Sequence, residues 1–159
     1  MGRPFRNAER VFSCVFDPPL RLKLMQLATY CMSCELKASY GVMVRALVSF
    51  APTGRELAEI VRERQELESK LGLVDGRKPD SKKSSPGERP LSIILGHKIR
   101  VTLRERVNEC IELGVDRVSV GLLVRALVQK TEPSLDFVGM VREQETAEKA
   151  ASRGNRRKS

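Results

Sequence analysis

Two short stretches place a cation two residues before a serine that is suited to begin a helix. They are Lys37 with Ser39 and Arg117 with Ser119. A serine at a helix N-cap accepts a hydrogen bond from a first-turn N–H, while the helix dipole and the remaining N–H groups attract anions. A neighbouring cation adds to that attraction. The spacing therefore predicts two matched sites that contact a phosphate group. Either serine would, however, also cap a helix in a protein without such a site.

The two serines lie in a segment that occurs twice. Ser39–Val48 reads SYGVMVRALV and Ser119–Val128 reads SVGLLVRALV, with seven of ten positions identical. Extended outwards at the same offset, residues 11–65 are expected to recur as 91–145 without a gap. A repeat of this length predicts two copies of one supersecondary unit.

Other residues of types that could act in catalysis or bind a metal form no recognisable catalytic or metal-binding set. Cys31 and Cys34 have C-x-x-C spacing, but no second ligand pair accompanies them and His97 is the only histidine. Zinc and redox sites of this type need such partners or a thioredoxin-like context. We therefore predict reduced, packed thiols, no metal or cofactor, and no enzymatic activity.

The elements that must position the paired sites follow one order in each copy. β-Branched and aromatic residues predict short strands at 11–16 and 91–95. Apolar residues at three- and four-residue steps predict helices at 19–32, 39–50, 54–71, 101–113, 119–130 and from about 133. The predicted fold is mainly α with one short two-stranded antiparallel ribbon.

Composition divides the chain into five parts. They are a basic N-terminal arm at 1–10, a first unit at 11–72, a linker at 73–90, a second unit at 91–147 and a basic, disordered tail at 148–159.

Charge predicts the class of partner. Lys and Arg number 29 against 20 acidic residues, for a net charge of +9, which favours nucleic acid over a merely basic soluble protein. The sequence has no apolar run long enough to span a membrane and no signal-peptide core. A cytoplasmic protein without a membrane partner is expected.

The element order resembles the ribbon-helix-helix family of DNA-binding proteins. The likeness rests on a short strand before a proline-flanked helix, on the Ser39 and Ser119 caps, and on Val-Arg-Ala-Leu-Val in the second helix. In that family two strands, normally from two subunits, pair antiparallel and enter the major groove, and the second helix holds a backbone phosphate. Since both units lie on one chain, the resemblance implies a monomeric, single-chain pseudo-dimer.

The layout is similar to tandem ribbon-helix-helix accessory proteins of conjugative plasmid transfer and of T-DNA transfer. This implies sequence- or shape-dependent binding of double-stranded DNA at an origin or border, with a relaxase or another transfer protein as a further partner. A transcriptional repressor or antitoxin-like regulator on the same fold is the alternative. A protein-interaction scaffold that uses the third helix is a reading outside DNA binding.

The candidate DNA-binding residues surround the strands and helix caps. They are Arg3, Arg6, Arg10, Lys37, Ser39, Ser92, Ile94, His97, Lys98, Arg100, Arg117 and Ser119.

Alternation along the strands predicts which side chains face outwards. In the second copy these are Ser92, Ile94 and Gly96, with Leu91, Ile93 and Leu95 inward. The same register in the first copy places Phe12, Cys14 and Phe16 outward and Val11, Ser13 and Val15 inward. Such residues are weak readers of base edges, so either the register of the strands is different or the ribbon reads shape and thymine methyl groups. A further alternative is that the ribbon only joins the two units and that basic arms hold the DNA.

Two further predictions concern charged residues in the helices. Arg45 and Arg125 occupy matched positions and are expected to pair with a carboxylate such as Glu63 or Glu143. The charged run at 62–70 is expected to be a solvated face.

Overall fold

The computed structural model describes residues 11–74, 76–77 and 90–158, with side chains described as far as Arg153. These parts contain two strands and six helices. In chain order they are β1 (Val11–Cys14), α1 (Pro18–Ser33), α2 (Tyr40–Ser49), α3 (Gly54–Leu71), β2 (Leu91–Ile94), α4 (His97–Glu112), α5 (Val120–Lys130) and α6 (Leu135–Lys158). The prediction of a mainly helical fold with one small antiparallel ribbon is confirmed. We call β1 to α3 the first half and β2 to α6 the second half.

In the described residues one sheet forms, by the pairing of β1 with β2. The strands run antiparallel, with Val11 opposite Ile94 and Cys14 opposite Leu91. Because the partners lie about 80 residues apart, the ribbon holds the two halves together.

One aliphatic core lies beneath the ribbon and receives side chains from both strands and all six helices. Leu27, Met43 and Leu57 of the first half and Leu123 and Val141 of the second are fully buried. The predicted inner face of α1 is confirmed, with Leu20, Leu24, Leu27 and Cys31 all buried. Leu71 was expected to face inward, but 49% of it is exposed because it lies in the last turn of α3.

The elements of the two halves follow the same order, but their spacing differs by one residue. The N-caps of the first helices, Asp17 and Gly96, differ by 79 positions, whereas those of the second helices, Ser39 and Ser119, differ by 80. The connection between α4 and α5 spans residues 113–118 and therefore holds six residues, against five at 34–38. The expected gapless recurrence of residues 11–65 is wrong.

The extra residue lies late in that connection. Glu35 and Gly114 both have a left-handed φ, 60° and 90°, and the residues that follow them, Leu36 and Val115, are both buried. Positions in the two halves therefore match at an offset of 79 residues as far as Leu36 and Val115. Arg117, with φ 54°, has no left-handed counterpart before Ser39, where the described backbone is left-handed only at Glu35.

The shift changes which side chains match. Cys31 corresponds to Cys110, and both are fully buried. Ile111 was expected to match Cys31 and to face inward, but it is 51% exposed. α4 also begins at His97, not near 101, because Gly96 (φ 80°) turns the chain directly from strand into helix.

The end of α6 corrects a second expectation. A disordered tail was predicted from residue 148, but α6 continues to Lys158. Glu148 lies on this helix and forms an ion pair with Arg45. The charge-rich composition was a poor guide because α6 packs against α2, and the Arg45–Glu148 pair is part of that contact.

Leu47→Ala and Leu127→Ala should each lower the free energy of unfolding by about 2–5 kcal/mol, as expected for truncation of a buried leucine. Both side chains are 4% exposed and occupy matched positions in α2 and α5. Leu135→Ala is the control, because Leu135 is 73% exposed. Denaturant unfolding followed by circular dichroism measures all three. A loss below about 1 kcal/mol at either core position would contradict the packing.

Candidate nucleic-acid interface

The outer face of the ribbon consists of two cross-strand pairs. Val11 lies opposite Ile94 and Ser13 lies opposite Ser92, and all four residues are exposed. The Oγ atoms of Ser13 and Ser92 are 3.3 Å apart, within hydrogen-bond distance. The face thus offers two hydroxyl groups between two apolar side chains.

This arrangement confirms the predicted facing of β2 and overturns that of β1. Cys14 and Phe16 were expected to face outwards but are 3% and 1% exposed, and Phe12 is half-buried on the same side. The physical reason is the offset of 79 in this region, since a one-residue change of register moves every side chain to the opposite face. Val11 and Ser13 are therefore outward.

Each strand lies against the first turn of a helix from the other half. The Cys14 Sγ of β1 is 3.7 Å from the carbonyl oxygen of Gly121 in α5. On the other side, Nη1 of Arg45 in α2 donates to the carbonyl oxygen of Ile94 in β2 at 2.7 Å. The N-termini of α2 and α5 consequently lie on the two sides of the ribbon.

Both helices begin with the predicted serine cap. The Oγ of Ser39 accepts from the N–H of Val42 at 3.2 Å, and the Oγ of Ser119 accepts from that of Leu122 at 3.1 Å. Thr53 was expected to form a capping box, but it makes no side-chain cap bond, and the N–H of Gly54 donates to a Glu109 carboxylate oxygen instead. Lys37 and Arg117 are exposed beside the two serine caps.

A glycine in the first turn of each helix makes the close approach to the strand feasible. A Cβ on Gly41 would lie 3.0 Å from Arg45 Nη1, and one on Gly121 would lie 3.1 Å from Arg125 Nη1. Each glycine leaves room for the guanidinium one turn later. These arginines are therefore part of the packing between helix and strand.

The two arginines form reciprocal ion pairs between the halves. Arg45 donates through Nε and Nη2 to Glu148 at 2.8 and 3.0 Å, and Arg125 donates in the same way to Glu68 at 2.7 and 3.0 Å. The expected pairing with a carboxylate is confirmed, but Glu63 and Glu143 are not the partners. Glu68 and Glu148 lie one turn further along α3 and α6, so each second helix is tied to the third helix of the other half.

Around the Arg125–Glu68 pair, four charged side chains are buried together. Arg64 Nε donates to Glu68 at 2.6 Å, its Nη2 donates to Asp17, and its Nη1 donates to Gln129 Oε1 at 2.8 Å. Arg64, Glu68, Asp17 and Arg125 are all at most 7% exposed. Their charges cancel, as burial requires. The charged run at 62–70 is therefore not wholly solvated, and that expectation is wrong for Arg64 and Glu68.

The surroundings of the Arg45–Glu148 pair are simpler. Gln144 occupies the position of Arg64 and donates to Glu148 at 2.8 Å, and Gly96 occupies the N-cap position of Asp17. The additional cation and the additional carboxylate are both absent there, so the charge balance is kept. This site is also wetter, with 34% of the Glu148 side chain exposed against 8% for Glu68.

The contacts change the acidity of three groups. Burial raises the pKa of Glu68, but hydrogen bonds and charges from Arg125 and Arg64 outweigh it and leave the pKa lowered. Glu148 has a lowered pKa for the same reasons, through Arg45 and Gln144. Burial raises the pKa of Cys14 to about 11, although Arg125 opposes the shift. This thiol is therefore protonated at neutral pH.

Two open grooves beside the serine caps contain cations that the sequence did not single out. One groove, of about 640 Å³, is lined by Lys37, Ser39, Lys149 and Ser152. Lys149 and Ser39 are 110 positions apart, so only the course of α6 brings them together.

The second groove, of about 370 Å³, lies between β1 and the start of α5. Arg77 lines it together with Ser13 and Ser119. The residue belongs to the segment read as a linker, and no pattern in that segment indicates a fixed position. A helix predicted over 148–153 would have identified Lys149 as a candidate residue.

The other candidate residues divide into a described and an undescribed group. His97, Lys98 and Arg100 are exposed in the first turn of α4, and His97 and Lys98 share a groove with Ile94. Arg3, Arg6 and Arg10 lie outside the described residues.

The described residues contain neither a candidate metal site nor a candidate membrane-spanning helix. No cluster of three or more His, Cys, Asp or Glu residues there could hold a metal ion. Cys31 is buried and Cys34 is half-buried, and both are free thiols. Among residues 11–74, 76–77 and 90–158, no helix is both long enough and apolar enough to cross a bilayer.

Comparison with known proteins adds no relative. No protein family, no curated protein and no solved structure matches the chain.

Glu68→Gln should lower the free energy of unfolding by about 3–5 kcal/mol, because it leaves two buried arginines with one carboxylate between them. Glu148→Gln is the matched variant on the other side and should cost about 1 kcal/mol, since that pair is partly solvated. Denaturant melts at pH 7 compare the two. Equal losses would contradict the difference in burial.

The same carboxylate should make stability depend on acid. Because the folded-state pKa of Glu68 is lowered, its contribution is complete above the ordinary glutamate pKa of about 4.3 and is lost as the pH falls through the lower folded value. Wild type should lose stability between about pH 5 and pH 2, and Glu68→Gln should lose less over that range. Thermal melts across the range test this, and parallel curves for the two proteins would refute it.

Proposed function

We propose that the protein binds double-stranded DNA through the outer face of the ribbon and the two helix N-termini that flank it. One observation carries the proposal. α2 and α5 begin on opposite sides of one exposed two-stranded ribbon, each with a cation two residues before its capping serine. A ribbon of two strands is of a size to enter the major groove, and helix N-termini bind phosphate.

The ribbon supplies the contacts that distinguish sequences. Ser13 and Ser92 offer hydroxyl groups that donate to or accept from base edges, and Val11 and Ile94 offer methyl groups that suit thymine. Four such side chains give modest direct readout, so DNA shape contributes as well.

The surrounding cations supply most of the affinity. Lys37 and Lys149 lie at the α2 end, Arg77 and Arg117 lie at the α5 end, and Lys98 lies beside Ile94. Contacts of this kind position a protein on the duplex and depend strongly on salt.

In this proposal each half is one ribbon-helix-helix unit and the chain is a monomeric pseudo-dimer without enzymatic activity. The reciprocal Arg45–Glu148 and Arg125–Glu68 pairs support it, because in each pair the second helix of one half donates to the third helix of the other half. The equal lengths of α1 and α4, 16 residues each, support it further.

The cellular role that we propose is that of an accessory protein that marks a DNA-transfer origin or border for a relaxase or another transfer protein. A transcriptional repressor or antitoxin-like regulator would use the same surface. Footprinting on the DNA that flanks the protein's own gene separates the roles, because protection at a transfer origin favours the first and protection at a promoter the second.

DNA binding should weaken steeply with salt. If about six phosphates are neutralised, log K should fall against log salt with a slope near −5, and affinity should drop about a thousandfold between 50 and 200 mM. Lys37→Ala with Arg117→Ala should lower affinity for all sequences alike and make the slope shallower by one or two units. Fluorescence anisotropy with a labelled duplex measures both effects.

The matched control is Arg55→Ala with Arg104→Ala, which removes two exposed cations of α3 and α4. Its slope should stay close to that of wild type. Ser92→Ala should instead change discrimination between a selected site and random DNA. Absence of duplex binding by the folded protein at 50 mM salt would reject the proposal and favour an interaction scaffold.

A further inference from the structure

Two exposed arginines hold the ends of the first helices, and each reaches across from the other half. Nη2 of Arg142 in α6 donates to the carbonyl oxygen of Cys34 at 2.6 Å, and Nη2 of Arg62 in α3 donates to that of Leu113 at 2.9 Å. Cys34 and Leu113 are the C-cap residues of α1 and α4. Each third helix therefore supplies an arginine to the C-terminus of the first helix of the opposite half.

The same contact is thus made twice. Arg62 and Arg142 lie 80 positions apart, whereas the residues that accept from them, Cys34 and Leu113, lie 79 apart. A guanidinium at a helix C-terminus satisfies a carbonyl group that has no partner within the helix and opposes the negative end of the helix dipole. Both halves make the contact although their spacing differs by one residue.

In the first half the held carbonyl lies close to the candidate phosphate site. Two residues after Cys34, Leu36 is buried, and its N–H donates to the Cys31 carbonyl oxygen at 2.9 Å. Lys37 follows directly, and Ser39 caps α2 two residues later. The path from the arginine contact to Lys37 is therefore short and is fixed at an intermediate point.

In the second half the longer connection receives an additional side-chain bond. Nε2 of Gln65 in α3 donates to the carbonyl oxygen of Asp116, which belongs to the peptide bond that leads into Arg117. Arg117 has a left-handed φ of 54°, which is uncommon for a residue other than glycine. Gly114 lies beside Arg62, since a Cβ on it would be 3.6 Å from Nη2 of that arginine. α3 therefore holds both the start of this connection and the peptide that precedes Arg117.

The two arginine contacts lie at the surface. Arg62 and Arg142 are both exposed, and surface substitutions usually change stability little. The halves are already docked by the shared core and by the Arg125–Glu68 and Arg45–Glu148 pairs. The effect of Arg62 and Arg142 is therefore local, on where each connection places the residues that follow it.

We infer that Arg62 and Arg142 are positioning residues for DNA binding, and that each sets the phosphate contact of the half to which it does not belong. The inference rests on the proposed function. Arg142 of the second half acts on Lys37 of the first, and Arg62, together with Gln65, acts on Arg117 of the second. Neither arginine has to touch the duplex for this role. Phosphate binding on each side of the ribbon then depends on a third helix from the opposite side of the repeat.

Double-mutant cycles on DNA affinity test this assignment. Each arginine is replaced by Gln, alone and combined with either Lys37→Ala or Arg117→Ala. Affinity is measured by fluorescence anisotropy at 100 mM salt, on a duplex selected in vitro from a random pool by the wild-type protein. Substitutions that act on one contact are not additive, whereas independent substitutions are. The charge lost with either arginine weakens binding in general, but this effect adds equally to both cation variants.

Lys37→Ala and Arg117→Ala should each lower affinity about tenfold, as expected for one phosphate contact at this salt concentration, and each arginine variant should lower it about threefold. Arg142→Gln combined with Lys37→Ala should lose about tenfold in total, because the two changes act on one contact. Combined with Arg117→Ala it should lose about thirtyfold, because those changes are independent. Arg62→Gln should show the reverse, with coupling to Arg117→Ala and additivity with Lys37→Ala.

Two further variants sharpen the comparison. Gln65→Ala leaves the net charge unchanged and should couple with Arg117→Ala as Arg62→Gln does. Arg55→Gln is the control, since it removes an exposed cation of α3 that lies away from both connections in sequence, and it should be additive with both cation variants. Circular dichroism and thermal melts verify the fold of every variant.

No loss of affinity in the arginine variants, additivity in all cycles, or coupling of an arginine to the cation of its own half would overturn the inference and leave DNA binding intact. A fall in Tm of more than about 5 °C in Arg62→Gln or Arg142→Gln would also overturn it, because the arginines would then act on general stability. The proposed function itself would be wrong if the folded wild type bound no duplex, or if Lys37→Ala and Arg117→Ala left affinity unchanged.

Discussion

The structure depends on the burial of the Glu68 carboxylate between Arg125 and Arg64. Charges in a protein interior cost several kcal/mol each unless they are paired and hydrogen-bonded, so Glu68 demands both partners in place. Arg125 comes from α5 of the second half and Arg64 from α3 of the first. Asp17 and Gln129 then accept hydrogen bonds from Nη2 and Nη1 of Arg64. The network is therefore complete only when the second half is docked on the first.

Docking of the halves also creates the candidate interface. Arg45 and Arg125 each lie one turn inside a helix whose N-terminus adjoins the ribbon, and each is held by a carboxylate from the other half. The ion pairs between the halves thereby determine where the two serine-capped helix ends lie relative to the strands. Gly41 and Gly121 allow the guanidinium groups to reach these positions. Core packing and the shape of the proposed DNA-binding surface therefore depend on the same contacts.

Periodicity and composition predicted the helices, the two strands and the serine caps, because these features depend on local sequence. The antiparallel pairing of the strands was implied by the family resemblance. The register predicted for β1 was wrong, since the identical residues lie in α2 and α5 and do not reveal the extra residue near Arg117. The apolar outward face that this register gave was a sign that the register could differ. Arg64 and Glu68 looked solvated because composition alone does not distinguish a buried charge from an exposed one. Arg77 and Lys149 join Ser119 and Ser39 only through tertiary structure. The shared cause is that contacts between distant segments leave no periodic signal.

The pairing of β1 with β2 within one chain has a consequence for how the protein responds to its own abundance. A ribbon made from two chains forms by association, so the amount that is competent falls with the square of concentration when chains are scarce. Here the partner strand is tethered and its effective concentration is set by the linker. If DNA is the partner, as proposed, occupancy of a site rises in direct proportion to the number of chains.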